Sequence, residues 1–186
     1  MTPLTFSDLM PATLVAAALL ASWNDYRRHR VPNWLNAAVL TSGLIAQGAF
    51  PGGHGLTFAL SGVFIGLAPL MLLWCMRAMG AGDVKFMAAL GAWLGPQMTL
   101  HALVVGCLLG GVMAMAMIAA RRNWGVATAN VGVMMTKMTS VKTAFSEFGS
   151  VASLTSSGQV LPYAIPLSIG TLVVVFSNYI GWWEAL

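Results

Sequence analysis

Charge is what this chain has least of. Among 186 residues only five are acidic and nine basic, so charged side chains make up 8%. A soluble domain carries about 25%, and so few ionisable groups cannot cover a water-soluble globule of this size. The scarcity argues against a soluble enzyme, a disordered chain and a nucleic-acid binder, even though the isoelectric point is near 9.5. The basic excess has to be read by its position relative to a bilayer instead. Cysteine is also scarce: Cys75 and Cys107 both lie in apolar runs and no CxxC occurs. A zinc knuckle and a disulfide framework are therefore not expected. With no HExxH and no GxSxG, the sequence offers neither a metalloprotease helix nor a serine-nucleophile elbow. No metal and no cofactor is expected, and no internal repeat is discernible.

Apolar residues are what the chain has most of, at 58% with a mean hydropathy of +0.79. The expected class is one all-α, polytopic membrane domain over residues 1–186. A crossing helix needs about 20 apolar residues. Six stretches qualify as candidates: 4–23, 34–50, 56–79 with a kink at Pro69, 84–95, 98–120 and 162–182. Breaks between them fall at Pro32, at Pro51-Gly52-Gly53, at Gly80-Ala81-Gly82-Asp83 and at Gly95-Pro96. The fourth stretch is short, about 18 Å of helix against a hydrocarbon core of about 30 Å. If it crosses, all nine basic residues share one face, with net charge +6 there and −2 opposite. The positive-inside rule favours that arrangement and makes the basic face cytoplasmic. No basic residue precedes the first apolar run, and Arg27-Arg28-His29-Arg30 follows it, the pattern of a first helix with its N-terminus outside; both termini are then expected outside. Between the fifth and sixth stretches, Val131, Met134, Met138, Val141, Phe145 and Phe148 recur at helical spacing. A cytoplasmic amphipathic helix over about 124–150 fits that pattern.

Two acids stand out. Asp25 follows the first apolar run and Asp83 the third, so two crossings separate them and they emerge on the same membrane face. Two carboxylates held close together do not both ionise easily, so one keeps a proton. The charged partner can then take a proton from an attacking water while the protonated one polarises a peptide carbonyl. Simpler roles compete: Asp25 pairing with Arg27 or Arg28, and Asp83 capping the fourth helix. Lys85 sits in that helix's first turn, where the helix dipole disfavours a cation; it marks either a functional site or a side chain reaching lipid phosphates. Gly80 and Gly82 allow unusual backbone angles and close approach of a substrate strand.

Gly80-Ala81-Gly82-Asp83-Val84-Lys85 resembles the GxGD signature of type IV prepilin peptidases, which are intramembrane aspartic proteases. Asp25 through Arg27-Arg28-His29-Arg30 to Val31-Pro32-Asn33 resembles the first-aspartate motif of that family, and Leu161-Pro162-Tyr163-Ala164-Ile165-Pro166 is similar to a proline-aromatic stretch in it. The resemblance implies that Asp25 and Asp83 are the catalytic aspartates, with Gly80, Gly82, Lys85, Pro32 and Asn33 as motif support. It implies cleavage of prepilin leader peptides at the cytoplasmic face of the bacterial inner membrane. The partners it implies are a prepilin with a basic leader and apolar helix, membrane lipid and the pilus assembly machinery. Bifunctional members carry a cysteine-bearing cytoplasmic insertion between the first two helices and also methylate the new N-terminus. Here only Arg27 to Asn33 joins those helices, so methylation is not expected. The compact form resembles the peptidases of tight-adherence (Flp) pilus systems. The alternatives are a small ion- or proton-coupled transporter or channel subunit, in which the two acids relay protons, and a structural subunit of a secretion complex.

Overall fold

The computed structural model describes residues 6–49, 53–75, 79–121, 125 and 163–181. The expected amphipathic segment at about 124–150 falls almost entirely outside them. The described residues form helices and no strand: α1 (Phe6–Arg28), α2 (Asn33–Ala49), α3 (Leu56–Cys75), α4 (Ala81–Arg121) and α5 (Ala164–Tyr179).

α1 runs further than its apolar stretch, so Asp25 lies within its last turn rather than after it. Arg27 and Arg28 occupy the same turn, where cations complement the helix dipole. The helix stops at His29, which adopts φ 48, and the rigid Val31-Pro32 step follows. The Pro32 carbonyl accepts hydrogen bonds from the Leu35 and Asn36 amides at 3.1 and 3.3 Å, so α2 starts with almost no intervening loop. α3 continues through Pro69.

The fourth and fifth expected helices are the two limbs of α4, separated as expected at Gly95-Pro96, where Gly95 has the non-helical φ 71 and ψ −177. Pro96 cannot continue the hydrogen-bond ladder and disfavours helical geometry in its predecessor; glycine alone takes the positive φ at little cost. A Cβ on Gly95 would also collide with the Phe58 ring. The Thr99 hydroxyl donates to the Gly95 carbonyl within the first turn of the second limb.

The limb of α4 before the kink is the hub of the bundle. Residues 86–95 are all buried, and α4 packs against α2, α3 and α5, while α1 packs on α5 and α2. The short stretch that is least like a crossing helix by length is thus the one most enclosed by protein. Its neighbours approach through small residues. A Cβ on Gly62 would strike the Gly91 carbonyl, and one on Gly66 would lie 2.6 Å from the Met87 carbonyl. On the second limb, a Cβ on Gly170 of α5 would lie 2.6 Å from the Gly106 nitrogen. α2 is held by Trp93, whose Nε1 donates to the Val39 carbonyl at 3.0 Å, and by Gln47, whose Nε2 donates to the Trp93 carbonyl at 2.9 Å.

The outside of this bundle is apolar. Leu19, Phe64, Leu72, Leu108 and Val112 are each more than 60% exposed, an exterior that water would not tolerate over so large an area. By length and composition, Leu56–Cys75 and Ala81–Ala120 can cross a membrane. α5 is apolar and has 16 residues.

Backbone-to-backbone contact at Gly62 has a measurable consequence. Gly62→Val is expected to lower the unfolding temperature of the detergent-solubilised protein, at a cost of about 1–3 kcal/mol, because the carbonyl it meets cannot turn aside. Gly111→Ala serves as the control: a Cβ there meets nothing within 4 Å, and its unfolding temperature should stay level or rise.

Candidate active site

Asp25 and Asp83 are both buried, at 3% and 6% exposure. They reach the same place from different helices, one from the last turn of α1 and the other from the first turn of α4. Close to them in the sequence, Val31, Met79 and Val84 are all in the core.

Asp25 faces the start of α5. The Ala164 amide, at the first position of that helix, donates to Asp25 Oδ2 at 3.0 Å. The first amides of a helix have no partner within it and carry the positive end of its dipole. α5 has no cap from its own Tyr163 side chain, and Asp25 supplies one from across the bundle. The expected pairing of Asp25 with Arg27 or Arg28 is not what forms. Arg27 lies over the Trp23 ring, 4.5 Å from its centroid, and Arg28 is exposed.

Asp83 is the third residue of α4, not the residue ahead of it as the capping role requires. Gly80 opens the helix: its carbonyl accepts from the Asp83 amide at 3.2 Å and the Val84 amide at 3.4 Å. The Asp83 carboxyl turns back against Gly80, whose amide lowers its proton affinity. Of the two expected uses of these glycines, unusual backbone angles and close approach, the first is not found. Neither Gly80 nor Gly82 has a positive φ; what counts is that each lacks a side chain. A Cβ on Gly80 would lie 3.1 Å from Asp83 Oδ2, and one on Gly82 would lie 3.4 Å from the Val31 backbone.

The supporting residues stand behind the carboxylates. Lys85 is exposed, and its Nζ donates to Asn33 Oδ1 at 3.4 Å. Pro32 starts α2 through its carbonyl. These residues brace the junction of α2 with α4, and none of their hydrogen bonds reaches either acid. Two features had no clear sequence signal. Asn36 of α2 is buried and its Nδ2 donates to the Gly82 carbonyl at 3.2 Å; it is one of three amide side chains in α2, with Asn33 and Gln47, and nothing in the sequence sets it apart. The Ala164 amide is backbone, so no side chain announces it. Among the described residues no group of three or more His, Cys, Asp or Glu gathers as metal ligands do.

Both acids sit beyond the apolar stretches 4–23 and 84–95. Burial raises the Asp25 carboxyl above its ordinary range, while the Ala164 amide and the nearby His29 oppose the rise. Burial pushes Asp83 up to about 7, the negative charge of Asp25 adds to this, and the Gly80 amide opposes it. Both carboxyls are thus biased toward the protonated form, and the pair favours holding one proton between them. Tyr163, half-buried at the start of α5, lies within electrostatic reach of Asp83.

An all-helical chain with an apolar exterior and a buried carboxylate pair at helix ends is the class these observations define. Residues 12–115, which contain both acids, match the model of the Type IV leader peptidase family, and the chain belongs to that family. A prepilin leader peptidase/N-methyltransferase of Aeromonas salmonicida (strain A449) is 30% identical over 131 residues, 62% of this chain and 44% of the relative. The type 4 prepilin-like proteins leader peptide-processing enzyme of Escherichia coli O78:H11 is 34% identical over 107 residues, 53% of this chain and 38% of the relative. A prepilin leader peptidase/N-methyltransferase of Burkholderia pseudomallei (strain 1026b) is 34% identical over 113 residues, 52% of this chain and 35% of the relative. The chain thus spans less than half the length of these curated relatives. No solved structure matches it.

The raised Asp83 pKa couples to stability. The folded chain keeps a proton on Asp83 that the unfolded chain releases between its ordinary 3.8 and about 7, so stability falls as pH rises through that window. Asp83→Asn removes this loss. Its unfolding temperature is expected to exceed the parent's at pH 8 and to match it at pH 4, read by thermal unfolding in detergent at the two pH values.

Proposed function

We propose that the chain is a membrane aspartic endopeptidase that cleaves the leader peptide of prepilins. The observation that carries this reading is the burial of two interacting carboxyl groups, Asp25 and Asp83, at the ends of separate helices in a member of the leader peptidase family. In this reading Asp25, charged and steadied by the α5 N-terminus, takes a proton from a water molecule as its oxygen bonds to the scissile carbonyl carbon. Asp83, protonated, donates a hydrogen bond to the carbonyl oxygen as negative charge develops there. The tetrahedral intermediate then collapses. The carbon–nitrogen bond breaks, a carboxyl group forms, and the amine leaves with a proton from the pair. Asp25 and Asp83 end as they began once a proton returns between them.

The same reading extends to the membrane. Six crossings are proposed, with α4 supplying two of them through its kink at Gly95, and with the acids and the basic segment Arg27 to Arg30 on the cytoplasmic face of the bacterial inner membrane. The substrate's apolar helix would lie against the bundle within the bilayer and bring the scissile bond to the interface. A Flp-type prepilin suits the compact form. Exposed Trp34 beside the basic segment supports an interface at that level.

Two experiments test the proposal. In cells producing a prepilin together with the protein, Asp25→Asn and Asp83→Asn are each expected to abolish leader removal, seen as the unshifted precursor on an immunoblot, with the variant's own level unchanged. A variant that still processed the precursor would remove that residue from the catalytic pair. With purified protein, the rate of cleavage is expected to fall as pH rises through about 7, because Asp83 then loses the proton it must donate; a rate flat to pH 9 would contradict its role as the acid.

A further inference from the structure

Asn36 sits on the face of α2 that packs against α4 and is only 5% exposed. An amide in so apolar a place is costly unless all its polar atoms are bonded. Only half of it is. Nδ2 donates to the Gly82 carbonyl at 3.2 Å, whereas Oδ1 is buried with no hydrogen-bond partner. Packing alone would favour leucine, which has nearly the same size and leaves nothing unsatisfied. Nor does the Gly82 carbonyl need the contact for its own sake, since it sits in the first turn of α4, where the helix ladder supplies a donor. What the bond does is hold the peptide unit that immediately precedes Asp83.

Two further contacts of that turn come from the segment that leads into α2. Val31 packs against Gly82, and Lys85 in the next turn reaches back to Asn33. Asn36 is the only one of these contacts that is both buried and directed onto the backbone adjoining Asp83. We propose that Asn36 is a positioning residue for Asp83: through the Gly82 carbonyl it fixes the first turn of α4, and with it the direction in which the Asp83 carboxyl meets Asp25. The inference rests on the reading of Asp83 as one of the catalytic pair. The ionisable groups that face Asp83 are Asp25 from α1 and Tyr163 at the start of α5; Lys85 on α4 itself is turned to Asn33.

The test uses the full chain in detergent. The proton affinity of Asp83 is followed by the infrared C=O band of its carboxyl, assigned by the loss of that band in Asp83→Asn. Asn36→Leu is expected to move the titration midpoint by about half a pH unit or more, roughly threefold in proton affinity. Prepilin cleavage by the same variant is expected to fall about tenfold in kcat with KM held, the pattern of a misplaced reacting group rather than lost substrate binding. An unmoved midpoint overturns the proposal, even if Asn36→Leu alters the unfolding temperature, because the amide would then serve packing alone. Should Asn36→Leu not fold, Asn36→Ala carries the same readout. If the parent protein cleaves no prepilin, the function reading fails, and the infrared midpoint still decides whether Asn36 controls Asp83.

Discussion

The bond from the Ala164 amide to Asp25 joins the first described helix to the last. A carboxylate buried among apolar side chains is expensive, and so is an uncapped helix N-terminus turned inward. Each meets the other's need: Asp25 gains a donor and the favourable end of a helix dipole, and α5 gains a cap that its own sequence lacks. The contact also gives the two acids unlike surroundings. Asp25 has a helix terminus to hold its charge. Asp83 has burial and a charged neighbour, which together raise its carboxyl, and the Gly80 amide, which opposes them.

Everything around the pair serves to bring those helix ends together. The limb of α4 before Gly95 runs through the middle of the bundle, and its neighbours come close because glycines stand where side chains would otherwise hold backbones apart. In a lipid setting, where apolar surface gains little by pairing with other apolar surface, such close packing and a few buried hydrogen bonds are what hold helices together. The far end of α2 is tied down by the Gln47 and Trp93 bonds, and its near end by Asn36 and Asn33. α2 is thus fastened to α4 at both ends, which leaves the first turn of α4 little freedom.

The family match ends at residue 115, while α5 begins at Ala164. Both acids lie within the matched part, but the amide that holds Asp25 does not. The bond to Asp25 thus comes from a segment outside the matched residues.

Much of this was legible in the residues. The shortage of charge and the long apolar runs determined an all-helical, membrane-type chain, because only internally bonded helices or closed barrels suit lipid and these runs have helical length. The two aspartate motifs, with two helices between them, marked the acids and the family. Helix ends were less legible: α1 extends past its apolar stretch to take in Asp25, and α4 starts ahead of Val84 to take in Asp83, since polar residues at a helix end cost the ladder nothing. The use of Gly80 and Gly82 for space rather than for unusual backbone angles was not visible either, because composition does not distinguish the two. Only the tertiary structure decided that Ala164 caps Asp25, that Asn36 grips Gly82, and that the shortest apolar stretch is the hub. Those depend on distances between segments far apart in the chain, and a backbone amide or a buried packing face leaves no letter of its own in the sequence.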